Sequence, residues 1–197
     1  MKGGTTSTNR KKDLLVLRPL TLANWDDIET LFHAKGCSVA KWCWCVHYRF
    51  ARAAMPKDRK AALKKLAKGE LPPGLMAYRG KTPVGWVSLG PRAAFAKLAT
   101  SPVMKPVDET PVWSVICFVV PAPERGQGIA RALLDGAITF ARKQKVKALE
   151  AYPIDKTTES TPMSMWFGAA SMFRRAGFVE IARRKPTRPV MRLALKR

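Results

Sequence analysis

The run Phe118-Val119-Val120-Pro121-Ala122-Pro123-Glu124-Arg125-Gly126-Gln127-Gly128-Ile129-Ala130 sets an arginine and two glycines between an apolar segment and an amphipathic one. A strand entering a helix through such a loop makes an anion seat. The first N–H groups of a helix have no internal partner and carry partial positive charge, so they receive phosphate. Gly126 and Gly128 lack a Cβ and let the main chain approach an anion closely. Arg125 adds a forked cationic donor. A bare strand-to-helix turn would leave Arg125 and the spacing unexplained. A dinucleotide-binding turn would need a third glycine, and position 131 is Arg. The segment from Gly74 to Gly80-Lys81-Thr82 imitates a P-loop, but its glycines are one residue too far apart and it leads into a strand.

Cysteines 37, 43 and 45 and His47 invite a zinc reading. Structural zinc sites repeat Cys pairs two to four residues apart. Cys43-x-Cys45 is closer than that and has no second pair, so no metal is expected. Nothing near Cys117 in sequence would activate it, and it reads as a buried core thiol. His33 and His47 read as ordinary, partly buried histidines.

The elements that position these groups follow from hydrophobic spacing. Leu14 to Arg18 is a strand stopped by Pro19. Thr21 caps a helix with apolar positions Leu22, Trp25, Ile28 and Leu31/Phe32, ended by Gly36. Cys37 to Phe50 fits no pattern. Lys57 to Lys68 is a basic helix with a solvated face. Leu75–Tyr78 and Val84–Leu89 form a hairpin, and Val112–Val120 is a buried strand after a proline-rich connection with a short helix near Phe95–Leu98. Ile129, Leu133, Ala137 and Phe140 mark one helix face. Val146–Tyr152 is a strand, Met163–Arg175 one helix, and Phe178–Ala182 with Val190–Leu195 closing strands. The order predicts an α/β (α+β) three-layer sandwich: a mixed sheet of about six to seven strands flanked by about four helices.

Apolar residues form 47% of the 197, enough for one core, so a single domain is expected over residues 13–197 after a disordered basic tail over 1–12. No apolar run is long enough for a membrane helix, no secretory leader is visible, and four cysteines suggest reduced thiols and a cytoplasmic setting. The net charge of +22 attracts polyanions, nucleic acid among them, but no nucleic-acid motif accompanies it. The basic residues of segment 183–197, with no acidic one among them, belong to the same field.

Arg125-x-x-Gly128-x-Ala130, followed by Ala132-Leu133-Leu134 and later by Met172-Phe173-Arg174-Arg175-Ala176-Gly177-Phe178, resembles the acyl-coenzyme A signature and the late Gly-Phe turn of the GNAT N-acetyltransferase superfamily. The resemblance spans about residues 14–195 and includes a bacterial branch with a segment like Trp42-Cys43-Trp44-Cys45. It implies a GNAT-like fold that moves acetyl from acetyl-CoA, as co-substrate, to an amine borne by a small molecule or a protein. Phe118, Val119 and Val120 would present main-chain groups to pantetheine and acetyl. Residues Arg125, Gly126, Gln127, Gly128, Ile129, Ala130 and Arg131 would hold the pyrophosphate, and Val119 or Val120 N–H would stabilise the oxyanion. Trp42, Trp44 and Tyr48 would border the acceptor, or plug the core beside the first helices.

The chain departs from the family at the acid. Phe173 stands where many relatives have Tyr, Trp166 replaces a common Asn, and no Glu lies in the strand Val112–Val120. Tyr152 is the substitute acid that the sequence offers, with Glu150 two residues earlier as a proton acceptor through water. The same gaps motivate the alternative of a non-catalytic acyl-CoA sensor. A monomer or homodimer suits either reading.

Overall fold

The computed structural model describes residues 14–155 and 162–195. The expected tail over 1–12 lies outside them.

Seven strands form one mixed sheet: β1 (Leu15–Pro19), β2 (Gly74–Arg79), β3 (Thr82–Pro91), β4 (Trp113–Val119), β5 (Ala148–Ala151), β6 (Val179–Lys185) and β7 (Arg188–Ala194). Their order is β1-β2-β3-β4-β5-β7-β6. Every pairing is antiparallel except β4 with β5, which is parallel. The parallel pair requires a crossover, and the amphipathic helix α5 (Ile129–Lys143) supplies it. The other helices are α1 (Trp25–His33), α2 (Ser38–Cys43), α3 (Arg59–Ala67), the single-turn α4 (Ala96–Ala99) and α6 (Ala170–Arg175).

The sheet alternates its side chains between two cores. On one face Met76, Tyr78 and Trp86 pack with Trp25, Ile28 and Phe32 of α1 and Leu63 of α3. On the other, Leu75, Ala77, Val87 and Leu89 meet Ile129, Leu133, Leu134 and Ala137 of α5. The result is the three-layer sandwich that the strand and helix order implies, with six described α-helices.

Two segments differ from expectation. Residues 163–175 are not one helix. A 3-10 turn, Pro162–Phe167, precedes α6, and Gly168 separates them at φ +76. Ile154 bonds both sides of the break, donating to the Gly168 carbonyl at 2.9 Å and accepting from Ala170 N–H at 2.8 Å. The patternless segment after Gly36 contains α2, which ends where Trp44 (φ 47) and Cys45 (φ 49) both turn left-handed. Left-handed backbone costs a non-glycine residue roughly 1–2 kcal/mol. Here the turn drives Trp44 inward, stacked on Trp25 with ring centroids 6.0 Å apart.

Candidate active site

The site begins where β4 parts from β5. The two pair only from Trp113 to Val115, opposite Leu149 to Ala151. On its other side β4 stays paired with β3 as far as Val119, through an irregularity that leaves Ile116 extra between Val115 and Cys117. Such a bulge bends and twists the strand that carries it. From Ile116 onward the β5 side of β4 is therefore an open edge.

Main-chain direction along that edge follows from strand alternation. Leu89 N–H donates to the Pro73 carbonyl on the β2 side, at 3.2 Å. Its neighbour Ser88, and Trp86 with it, thus face β4, where they lie opposite Cys117 and Val119. The main chains of Phe118 and Val120 consequently point into the gap. This corrects the expectation for Val119, whose N–H is turned to β3 opposite Trp86. Val120 keeps its N–H in the gap, while its carbonyl accepts from Arg125 Nε at 3.1 Å.

The loop after β4 delivers a helix start without a cap. Gly126 and Gly128 have φ +75 and +80, and a Cβ built on either meets nothing within 4 Å. Gly128 is the N-cap of α5 and no side chain bonds the helix start. Ala132 N–H closes onto the Gly128 carbonyl at 3.0 Å. Among the described residues, the amides ahead of it, from Gly126 to Arg131, have no partner. They open into a small cavity shared with Arg131, Met172 and Arg175.

Three side chains expected at that seat are engaged with other partners. The Arg125 guanidinium donates to the carbonyls of Val120 and Gly36 (2.8 Å), tying the α1–α2 turn to the end of β4. Gln127 donates to the Pro123 carbonyl at 2.9 Å and accepts from Arg79 at 2.8 Å. Arg125 therefore builds the loop while still lining the cavity beside the amides. Arg131 is bidentate to Asp135, one helical turn on, at 2.9 Å. The exposed Arg175 borders the same cavity and, among the described residues, has no ion-pair partner. Sequence reasoning passed over it, although it lies within the Met172–Phe178 signature.

From this seat a groove of about 1100 Å³ runs along the β4 edge to α2. Phe118, Val119, Val120, Met165, Trp166 and Gly168 line it on the sheet side, and Cys37, Val39, Cys43, Cys45, His47 and Tyr48 on the helix side. Phe173 lies behind it, fully buried, edge-on to Phe118 and Phe178. No hydroxyl reaches the groove from that position.

Tyr152 and Glu150 are not on the groove. Tyr152 is fully buried, its hydroxyl 3.0 Å from Ser114 Oγ and 3.1 Å from Glu150 Oε2. Burial, and then the Glu150 charge, hold that hydroxyl well above the ordinary tyrosine range. Glu150, 1% exposed, is clasped by Arg92 at 3.0 Å and Arg192 at 2.6 Å. Both groups serve the sheet. The expected acid is thus corrected: a strand-end tyrosine of this parity faces the core.

Of the expected acceptor aromatics, Tyr48 lines the groove, Trp44 is core, and Trp42 is 75% exposed beyond the lining. Tyr48 stands edge-on between His47 (5.0 Å) and Phe167 (5.4 Å). Burial pushes its hydroxyl up. Desolvation, then Lys97 and Arg59, push the His47 imidazolium down. The thiols stay protonated: Cys45 is raised by its neighbour Cys117 and by burial, Cys43 by Cys45 and by burial, Cys37 by burial. Among the described residues no cluster of three or more His, Cys, Asp or Glu is arranged to hold a metal ion, and no helix is long and apolar enough to cross a membrane.

Comparison with known proteins agrees with this geometry. No curated protein matches the sequence. Among solved structures, the GNAT domain of S. lividans PAT is similar at 16% identity and TM-score 0.54, covering 91% of this chain and 89% of that one. A GCN5-related N-acetyltransferase from Kribbella flavida is 20% identical, with TM-score 0.53 over 92% and 98%. The PaiA N-acetyltransferase from Thermoplasma acidophilum, solved in complex with coenzyme A, is 12% identical, with TM-score 0.53 over 92% and 99%. At these identities the likeness is one of fold. The model of the acetyltransferase (GNAT) family matches residues 36–163, well over half of the chain and all of the site's loop, so this protein belongs to the GNAT acetyltransferase family.

Proposed function

We propose that the protein is an N-acetyltransferase that transfers acetyl from acetyl-CoA to an amine by direct attack. The observation that carries this reading is the uncapped row of amides from Gly126 to Arg131 at the end of an open strand edge. Helix-start amides seat an anion, and the groove beyond them, lined by Phe118, Val119 and Val120, suits an extended chain laid beside β4. Coenzyme A has both parts. Its pyrophosphate would take the amides, with Arg175 alongside. Its pantetheine would pair with the gap-facing groups of Phe118 and Val120. The thioester carbonyl would then meet Phe118 N–H, the donor placed to stabilise the tetrahedral oxyanion.

Proton traffic falls to His47 and Tyr48, both of which line the groove. An ordinary lysine-type amine is protonated at neutral pH, with a pKa near ~10.4. His47, held neutral at that pH, takes the proton from the incoming ammonium. The neutral amine attacks, the tetrahedral intermediate collapses, and the thiolate leaves. Tyr48, kept protonated by burial, gives its proton to the thiolate and takes back the second proton shed by the acetylated nitrogen, while His47 releases the first to solvent. No enzyme nucleophile is required, and the protonated thiols of Cys43 and Cys45 offer none. Reduced cysteines would suit a cytoplasmic location.

Acetyl-CoA consumption with thiol release tests the reaction. Tyr48→Phe is expected to lower kcat on the order of 10²-fold, with the KM for acetyl-CoA unchanged. An unchanged kcat would remove Tyr48 from the mechanism.

A further inference from the structure

The groove's acceptor end has a distinctive chemistry. Among the described residues that line it there is no aspartate or glutamate. Its walls are thiols, Val39, Met165, Trp166 and the Tyr48 ring. A polyamine or other cationic acceptor would lose its hydration there and gain no counter-charge. An apolar body would lose nothing.

The rim of the same end is cationic and, among the described residues, has no carboxylate paired with it. Lys97 Nζ lies 3.0 Å from His47 Nε2, and Lys97 N–H donates to the Tyr48 carbonyl, which fixes its helix beside the groove. Arg59 donates to the Trp42 carbonyl at 3.0 Å, at the exposed end of α2. Desolvation and the nearby charges of Arg52 and Arg59 hold the Lys97 ammonium below its ordinary range. None of these three cations has an ion-pair partner among the described residues. Like charges gathered without a counter-ion repel one another, and an anion at their centre relieves the repulsion. The pyrophosphate seat is at the opposite end of the groove, so coenzyme A does not supply that anion.

We propose, resting on the transferase reading, that the acceptor is a primary amine on an apolar body that also carries a carboxylate, as in an apolar amino acid, and that Arg52, Arg59 and Lys97 receive the carboxylate. The apolar body fills the thiol-lined walls. The amine then lies between the rim and the β4 edge. The same three cations disfavour its protonated form, which helps His47 to deliver it neutral. The +22 net charge acts in the same sense, drawing in anionic acceptors and repelling polycations.

The test compares kcat/KM with acetyl-CoA for L-phenylalanine, L-leucine and L-methionine against phenethylamine, which keeps the apolar body without the carboxylate, and spermidine, using thiol release by the full chain. At least one amino acid is expected to exceed phenethylamine by about tenfold or more, with spermidine slowest. The double variant Arg52→Glu/Lys97→Glu is expected to raise the amino acid's KM by about tenfold while leaving coenzyme A affinity, measured by calorimetry, unchanged, and to invert the preference towards phenethylamine. Equal use of phenylalanine and phenethylamine, preference for spermidine, or a double variant that alters both amines alike would overturn the proposal. So would inactivity on all five amines in protein that binds coenzyme A. Failure to bind coenzyme A would instead overturn the transferase reading beneath it.

Discussion

Phe118 and Gly128 decide most at the residue scale. The gap-facing N–H of Phe118 exists because Ile116 is an extra residue in β4; in a regular strand the parity beyond it would reverse. Gly128 caps α5 at φ +80, a conformation that a β-branched residue adopts only at a cost of roughly 1–3 kcal/mol. Gly128→Val is therefore expected to weaken coenzyme A binding by about tenfold or more by calorimetry. Retained affinity would show that the loop is not the seat. Tyr152→Phe should cost only about 1 kcal/mol of stability in chemical denaturation and leave the pH–rate profile unaltered, because its hydroxyl bonds the core. His47→Gln should abolish the acid limb of kcat/KM. In the native protein that limb lies below pH 6.5, since desolvation depresses the imidazolium and activity falls only as the imidazole gains its proton. These roles were unevenly legible. The turn of the Arg125–Ala130 loop into α5 was readable because its glycines stand directly before an amphipathic helix. The Arg125 side chain was misread, because its carbonyl partner at Gly36 is distant in sequence. Tyr152 was misread because hydroxyl chemistry was inferred without knowing which face its strand end presents.

Elements show why local patterning reached the sheet but not the acceptor wall. Strands β2, β3 and β4 and helix α5 announced themselves by period, and the structure has them within a residue or two of the expected bounds. The α2 turn did not, because two consecutive left-handed non-glycine residues have no sequence signature and are held by the packing of Trp44 on Trp25 and Phe32. The break at Gly168 was hidden in the same way: it is made by Ile154, in a different part of the chain. Strand β5 is fastened below the open gap by Glu150, between Arg92 and Arg192. Breaking a buried pair by removing one charge typically costs about 3–5 kcal/mol. Glu150→Gln is expected to show such a loss in denaturant unfolding, with kcat of the remaining folded enzyme little changed. A loss below ~1 kcal/mol would mean that the pairing is dispensable.

At the scale of the whole molecule, charge and fold meet. Cationic residues outnumber acidic ones 36 to 14, so the few carboxylates are heavily used. Arg192 beside Asp108, Arg174 and Arg183 beside Asp155, Arg183 beside Glu180, and Lys60 beside Glu29 all hold these carboxyls below their ordinary range. Groups depressed in this way stabilise the fold above their unfolded pKa, near ~4, and lose that contribution as pH falls through their folded values. The melting temperature, followed by circular dichroism, is expected to be level near neutrality and to fall below about pH 4. The central claim concerns the opposite sign of charge: unpaired amides at the start of α5 receive a diphosphate while the β4 edge receives the chain attached to it. Thermal unfolding with and without coenzyme A measures this directly. At a ligand concentration a hundred times Kd, binding adds about 2.7 kcal/mol. For a chain of this length that raises the melting temperature by roughly 5–10 °C. A rise of that size, lost in Gly128→Val, is the predicted result; no shift at millimolar coenzyme A would contradict the account.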